Sequence, residues 1–111
     1  MSRVYDDAHR LVDSIKDSKE YTEFVRLETL LSADEKLMDE IKEFQSLQVE
    51  LQTSQLMGKE LDENLMELAQ KKLDKLNETP EALEYFQAEM NLNKIFKEIS
   101  QIIGDAMTLL S

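Results

Sequence analysis

The side chains that most often perform catalysis or hold metal ions are scarce in this sequence of 111 residues. It contains one histidine, His9, and no cysteine. Asp6 and His9 stand three residues apart, but a two-metal site in a helical bundle needs two such acid–histidine pairs. A lone histidine without partner ligands seldom makes a metal site. We therefore predict no metal ligands and interpret His9 as a structural or solvated side chain.

Other catalytic patterns are also missing. None of the eight serines follows a nucleophile-elbow pattern, and a Ser-His-acid triad would have to use His9. No glycine-rich phosphate loop is present. Acidic pairs such as Asp34-Glu35 and Asp39-Glu40 are adjacent in sequence, so on a helix their side chains diverge. The sequence predicts no catalytic residue, no cofactor and no enzymatic activity.

The charge balance argues against direct binding of nucleic acid. The formal net charge is -11, with 13 acidic against 7 basic residues in positions 1–58 and 11 against 6 in positions 59–111. A duplex-binding protein needs clustered lysine and arginine side chains to displace counterions. The nearest cluster is Lys71, Lys72 and Lys75, which we interpret as a solvated helix face. The acidic charge therefore looks evenly spread, with no basic domain.

The sequence also predicts a cytoplasmic protein without a membrane segment. No run approaches 18 apolar residues, and the first residues lack the apolar core of a signal peptide. The absence of cysteine fits a reducing compartment. Two glycines, one proline and 33% charged residues are typical of long helices.

Positions 80–110 show the strongest pattern, which predicts one long amphipathic helix. Apolar residues recur every seven positions in two series offset by three, and a third apolar row lies beside them. At 1.5 Å per residue the helix would be roughly 46 Å long, too long for one small domain to cover. We predict that it forms an oligomer or partner interface. The predicted interface residues are Tyr85, Ala88, Leu92, Ile95, Phe96, Ile99, Ile102 and Ile103.

The remaining sequence predicts further helices. The N-terminal part, about 4–31, forms two helices separated at Asp17 and Ser18, or a single kinked helix. A capping box, Ser32 with Glu35, predicts a middle helix over about 33–57. Gly58 is its natural stop.

Asp62 caps a helix over about 63–78, and Thr79-Pro80 separates it from the long helix. Gln45, Gln48, Gln52 and Gln55 form a row on the middle helix, either a solvated flank or a hydrogen-bonding inter-subunit seam. The predicted fold is all-α, a single domain over 1–111 with helical hairpins packed on a long C-terminal helix. It has about five helices and forms an oligomeric bundle.

The order of several residues resembles the YlbF/YmcA family of small helical bacterial proteins. The resemblance covers nearly the whole chain and is strongest between Phe86 and Ala106. The residues that carry it are Ala8-x-x-Leu11, Ile15-x-x-Ser18, Glu20-Tyr21, Phe44-x-x-Leu47-Gln48, Gln52, Gly58, Tyr85-Phe86-x-Ala88-Glu89, Leu92, Ile95, Ile99 and Ile103.

This resemblance implies a regulator in a Gram-positive bacterium. Family members control competence, sporulation and biofilm formation, and some assist an endoribonuclease that matures messenger RNAs. The family's structures are helical and oligomeric. Some members carry a cysteine-bearing tail connected with an iron–sulfur complex. This sequence has no cysteine, so the resemblance implies no cluster here.

Three functional hypotheses follow. The first is a cytoplasmic regulatory adaptor that self-associates as a homo-dimer or tetramer through the long helix. Its further partners would be other family members or an RNA-processing protein. The second is a purely structural homo-oligomer, and the third is a metal-binding protein that uses acidic side chains.

Overall fold

The computed structural model describes residues 2–108, and this part of the chain contains five α-helices and no strand. The helices are α1 (Arg3–Lys16), α2 (Lys19–Ser32), α3 (Glu35–Leu56), α4 (Glu63–Leu76) and α5 (Pro80–Met107). The all-α prediction with five helices is confirmed. Leu109 and Leu110, placed at the end of the predicted long helix, lie outside the described residues.

The first two helices are separate because Ser18 interrupts the hydrogen-bonded ladder. Its hydroxyl donates to the carbonyl of Ile15 at 2.6 Å and accepts from the amide of Tyr21 at 3.2 Å. It thus ties the end of α1 to the first turn of α2. Of the two alternatives for the N-terminal part, the structure shows two helices.

The predicted capping box at Ser32 and Glu35 is wrong. Ser32 is the last residue of α2, and the cap of α3 is Asp34, whose carboxylate accepts from the amide of Leu37 at 3.1 Å. Leu27 and Leu31 lie one turn apart and are both buried, so their packing keeps α2 helical to Ser32. Aspartate caps a helix as well as serine does, and it takes over the role two residues later.

Gly58, Asp62 and Pro80 lie at helix boundaries as predicted, while α4 ends at Leu76, two residues before its predicted end. Gly58 has a φ of +71°, the left-handed conformation that ends a helix most readily at glycine. The Asp62 carboxylate accepts from the amides of Asn64 and Leu65 at the start of α4. Pro80 is the first residue of α5, and the carbonyl of Thr79 accepts from the amide of Ala82.

The chain divides into two compact units. The first consists of Met1–Glu28 and Tyr85–Ser111, and the second of Thr29–Glu84. In the first unit the buried side chains are Leu27, Tyr85, Ala88 and Leu92. Phe24 of α2 stacks on Tyr85 of α5 with ring centroids 5.3 Å apart. Glu20 lines a cleft with Asn91 and Lys94, so α2 and α5 run antiparallel in this unit.

The second unit is built on a hairpin of α3 and α4. Lys72 pairs with Glu43 at 2.8 Å and Lys75 with Glu40 at 2.7 Å, so the two helices are antiparallel. Apolar residues fill this unit: Leu31, Met38, Ile41, Phe44, Ala69, Leu76 and Ala82 are all buried. Leu68 on α4 is exposed.

Candidate interaction surface

The structure divides the predicted interface of α5 into a buried and an exposed part. Tyr85, Ala88 and Leu92 are buried within the chain, and Ile95 and Ile99 are half-buried. The remaining three side chains are exposed: Phe96 by 46%, Ile102 by 70% and Ile103 by 55%. The exposed part of the predicted interface therefore lies in the C-terminal half of the helix.

Tyr85 shows how the buried part is held. Its ring stacks on Phe24 and tilts against Phe86, whose ring centroid is 6.2 Å away. Burial raises the pKa of the Tyr85 hydroxyl, and the negative charges of Glu89 and Glu28 raise it further. The neutral phenol is thus the form that this packing stabilises.

The first helix adds exposed apolar surface that is not part of the predicted interface. Although α1 carries Val4, Ala8, Leu11, Val12 and Ile15 at helical spacing, none of its residues is buried. We call the large exposed apolar residues of α1 and of the C-terminal half of α5 the first apolar surface. They are Val4, Tyr5, Leu11 and Val12 on α1, and Phe96, Ile102, Ile103 and Met107 on α5. The three- and four-residue spacing of these apolar residues predicts an apolar face on α1. Spacing alone does not show whether the rest of the chain covers that face.

The lysine cluster of α4 is engaged with acidic side chains rather than simply solvated. Lys72 and Lys75 bridge to α3, and Lys71 lies 3.6 Å from Glu67 on its own helix. The bond to Lys72 lowers the pKa of Glu43, and the bond to Glu40 raises the pKa of Lys75. Lys72 and Lys75 pair across the hairpin and Lys71 pairs within α4, which leaves all three poorly suited to contacting phosphates.

The negative charge is uneven when it is counted by structural unit. The second unit, Thr29–Glu84, carries 14 acidic and 6 basic side chains, a net charge of -8. The first unit carries 10 acidic and 7 basic side chains, a net charge of -3. The even split between the two halves of the sequence does not carry over to the two units, because the first unit combines both ends of the chain.

The structure offers no cluster of ligands for a metal ion in residues 2–108. No three histidine, cysteine, aspartate or glutamate side chains in this range come close enough together to hold one. His9 lies exposed on α1. Among the same residues, no helix combines the length and the apolar character needed to cross a membrane.

Comparison with known proteins places the chain in a family. A family model described as "Control of competence regulator ComK, YlbF/YmcA" matches residues 4–108. The chain belongs to the YlbF/YmcA family. The resemblance predicted from the sequence is thus confirmed over nearly the whole chain.

Relatives of this YlbF/YmcA family member support the assignment. A UPF0342 protein of Caldicellulosiruptor saccharolyticus is 33% identical over 109 residues, which cover 98% of this chain and 91% of the relative. A UPF0342 protein of Caldicellulosiruptor bescii is 35% identical over 107 residues, covering 96% and 90%. Neither these names nor the family description states an enzymatic activity.

A solved structure shares the fold. It is a "Protein of Unknown Function (DUF964)" from Bacillus stearothermophilus, with a TM-score of 0.74 and 20% sequence identity. The match covers 98% of this chain and 93% of that one. At this identity the likeness supports the helical fold alone.

Proposed function

We propose that this YlbF/YmcA family member is a non-enzymatic regulatory adaptor that self-associates through the first apolar surface. The observation that carries the proposal is the exposure of apolar residues on both α1 and the C-terminal half of α5. An isolated helix of 14 residues is marginal in water, and α1 buries none of its residues in this chain. A second copy would supply the missing cover for both helices.

Charge supports self-association at this surface rather than elsewhere. The first unit has a net charge of -3, against -8 for the second, so bringing two first units together meets less repulsion. Exposed apolar side chains in one region typically mark a contact with another protein. The interface in this proposal consists of the first apolar surface together with Ile95 and Ile99, which are half-buried on the same helix.

The family description connects such proteins with control of the competence regulator ComK. We place this chain in the same kind of control, in competence, sporulation, biofilm formation or RNA processing of a Gram-positive bacterium. It would act there by holding protein partners on a homo-dimer or tetramer, in the cytoplasm.

Solution mass tests the proposal, measured by light scattering across a dilution series. We expect a dimer or tetramer for the unmodified chain. Ile102→Asp should raise its dissociation constant by at least about a hundredfold, because an unpaired charge buried in an interface costs several kcal/mol. Ile102 is already 70% exposed, so the substitution should leave the fold of the single chain intact.

Met90→Asp is the matched control. Met90 lies on the same helix and is 61% exposed, but it stands outside the first apolar surface. This variant should associate as the unmodified chain does. A monomer at every concentration, or an Ile102→Asp variant that associates normally, would refute self-association through this surface.

The regulatory role needs a separate test in cells. Deleting the gene from its Gram-positive host should change transformation, sporulation or biofilm formation, and Ile102→Asp should restore the phenotype less well than Met90→Asp. A deletion strain that is normal in all three would refute the regulatory role.

A further inference from the structure

An open apolar cleft lies between α3 and α4 in the second unit, outside the first apolar surface. Its volume is about 260 Å³, and its apolar lining is formed by Phe44, Leu51, Met66, Ala69 and Leu73. Pockets for drug-sized molecules usually measure about 300–1,000 Å³ and enclose the ligand. This cleft instead has the size for a few side chains projecting from a neighbouring element.

The length of the cleft matches the side-chain spacing of a helix. Phe44 and Leu51 are seven residues apart on α3, which is about 10 Å or two helical turns. A docked helix presents anchors at positions i, i+3 or i+4, and i+7 over the same distance. Met66, at one edge, has a flexible side chain that adapts to the shape of such anchors.

The two edges of the cleft differ in charge. On α3, Gln48 lines the cleft and belongs to the uncharged glutamine row. On α4, Gln70 lines it, in a row of residues spaced three and four apart that includes Glu63, Glu67 and Asp74. Lys71 neutralises Glu67 in part. Lys72 and Lys75 are bonded to α3, so the acidic character of this edge persists.

The charge of the cleft also indicates what does not fill it. The whole second unit has a net charge of -8. Counted by side chains, α1 and α4 are neutral, α2 carries -1, and α3 and α5 carry -3 each. No helix among the described residues is therefore basic, and a second copy of this chain offers no charge-complementary helix. Nucleic acid is repelled by the same field.

We infer that this cleft is the docking surface for an amphipathic helix of a different protein. The helix has apolar anchors on one face, and lysine or arginine beside them that lie along the acidic edge of α4. Apolar contact supplies affinity, and the charge pattern selects orientation and speeds encounter. The glutamine row would hydrogen-bond the polar flank of the docked helix. This site uses a different unit from self-association and does not depend on it.

Synthetic peptides added to the full chain test the inference. Three 14-residue peptides share leucines at helical spacing and carry, at their polar positions, only lysine, lysine and glutamate equally, or only glutamate. Binding is measured by calorimetry in about 50 mM NaCl, where charge contacts are weakly screened. We expect the lysine peptide to bind with a dissociation constant on the order of 10–100 µM, the mixed peptide more weakly, and the glutamate peptide not at all.

Two variants locate the binding. Met66 and Leu68 are both on α4 and nearly equally exposed, by 45% and 43%, but only Met66 lines the cleft. Met66→Gln should weaken the lysine peptide at least about fivefold, whereas Leu68→Gln should leave it within about twofold.

Three results would overturn the inference. They are no binding of the lysine peptide up to about 1 mM, equal binding of the lysine and glutamate peptides, and equal loss in the two variants. Light scattering on the same samples keeps the two proposals apart, since peptide binding can succeed or fail whether or not the chain self-associates.

Discussion

At the scale of single residues, Tyr85 shows how packing and nearby negative charge shift a pKa. The packing of α2 against α5 buries its ring beside Phe24, and Glu28 and Glu89 add negative charge nearby. Both effects disfavour the phenolate. Its raised pKa is a consequence of packing, and it makes the side chain a reporter of that packing.

The raised pKa of Tyr85 predicts a pH dependence of stability. The folded state holds the phenol proton more tightly than the unfolded state does. The resulting contribution to the free energy of unfolding is therefore complete below the ordinary tyrosine pKa of 10.0, and it is lost as pH rises through the pKa of Tyr85 in the folded state. Urea unfolding above pH 10 should therefore show the unmodified chain losing stability faster than Tyr85→Phe. Lys75 contributes in the same direction in both proteins and cancels in the comparison. Parallel pH profiles would contradict the prediction.

At the scale of helices, the two glycines have opposite roles. Gly58 ends α3 with a φ of +71°, whereas Gly104 lies inside α5 with no atom within 4 Å of the position that a Cβ would occupy. Among residues 2–108, Gly104 therefore makes no close contact with another helix. The first glycine is needed for its backbone conformation, and the second only weakens its helix.

Alanine substitutions should therefore change stability in opposite directions. Gly58→Ala should lower the free energy of unfolding by about 1 kcal/mol, because a side chain disfavours positive φ. Gly104→Ala should raise it by up to about 1 kcal/mol, since alanine is the better helix former. Urea unfolding followed by circular dichroism measures both. A destabilising Gly104→Ala would reveal a close approach to α5 by another molecule, and mass measurements would identify a second copy.

The helix boundaries show which features of a helix follow from local sequence and which do not. Gly58, Asp62 and Pro80 act through local backbone chemistry, so their roles were predicted correctly. The start of α3 was misplaced because Ser32 and Glu35 matched a local motif, while the burial of Leu31 extended α2 through it. Tertiary packing outweighs a cap that contributes about 1 kcal/mol.

At the scale of the whole molecule, the division of charge between the two units predicts opposite salt dependences. Added salt screens repulsion between like-charged copies and should tighten self-association. It also screens attraction between the cleft and a lysine peptide, and should weaken that binding. Raising NaCl from about 50 to about 500 mM while recording both constants tests this. Two constants that move in the same direction would contradict the assignment of separate surfaces.

The sequence by itself determined the helical class, the family and the absence of recognisable catalytic motifs. Seven-residue spacing on α5, capping residues and the shortage of histidine and cysteine are all local properties. Each depends on residues that are near one another in the chain. Periodicity also identified which face of each helix is apolar.

Only the tertiary structure decided which apolar faces the chain covers. Tyr85 and Ile102 occupy the same stripe, yet one is buried and the other is exposed. The cleft between α3 and α4 likewise brings together residues that are distant in sequence, such as Phe44 and Leu73, and the first unit combines the two ends of the chain. Helical spacing defines a face but carries no information about its neighbour, because burial depends on contacts that the folded chain alone creates.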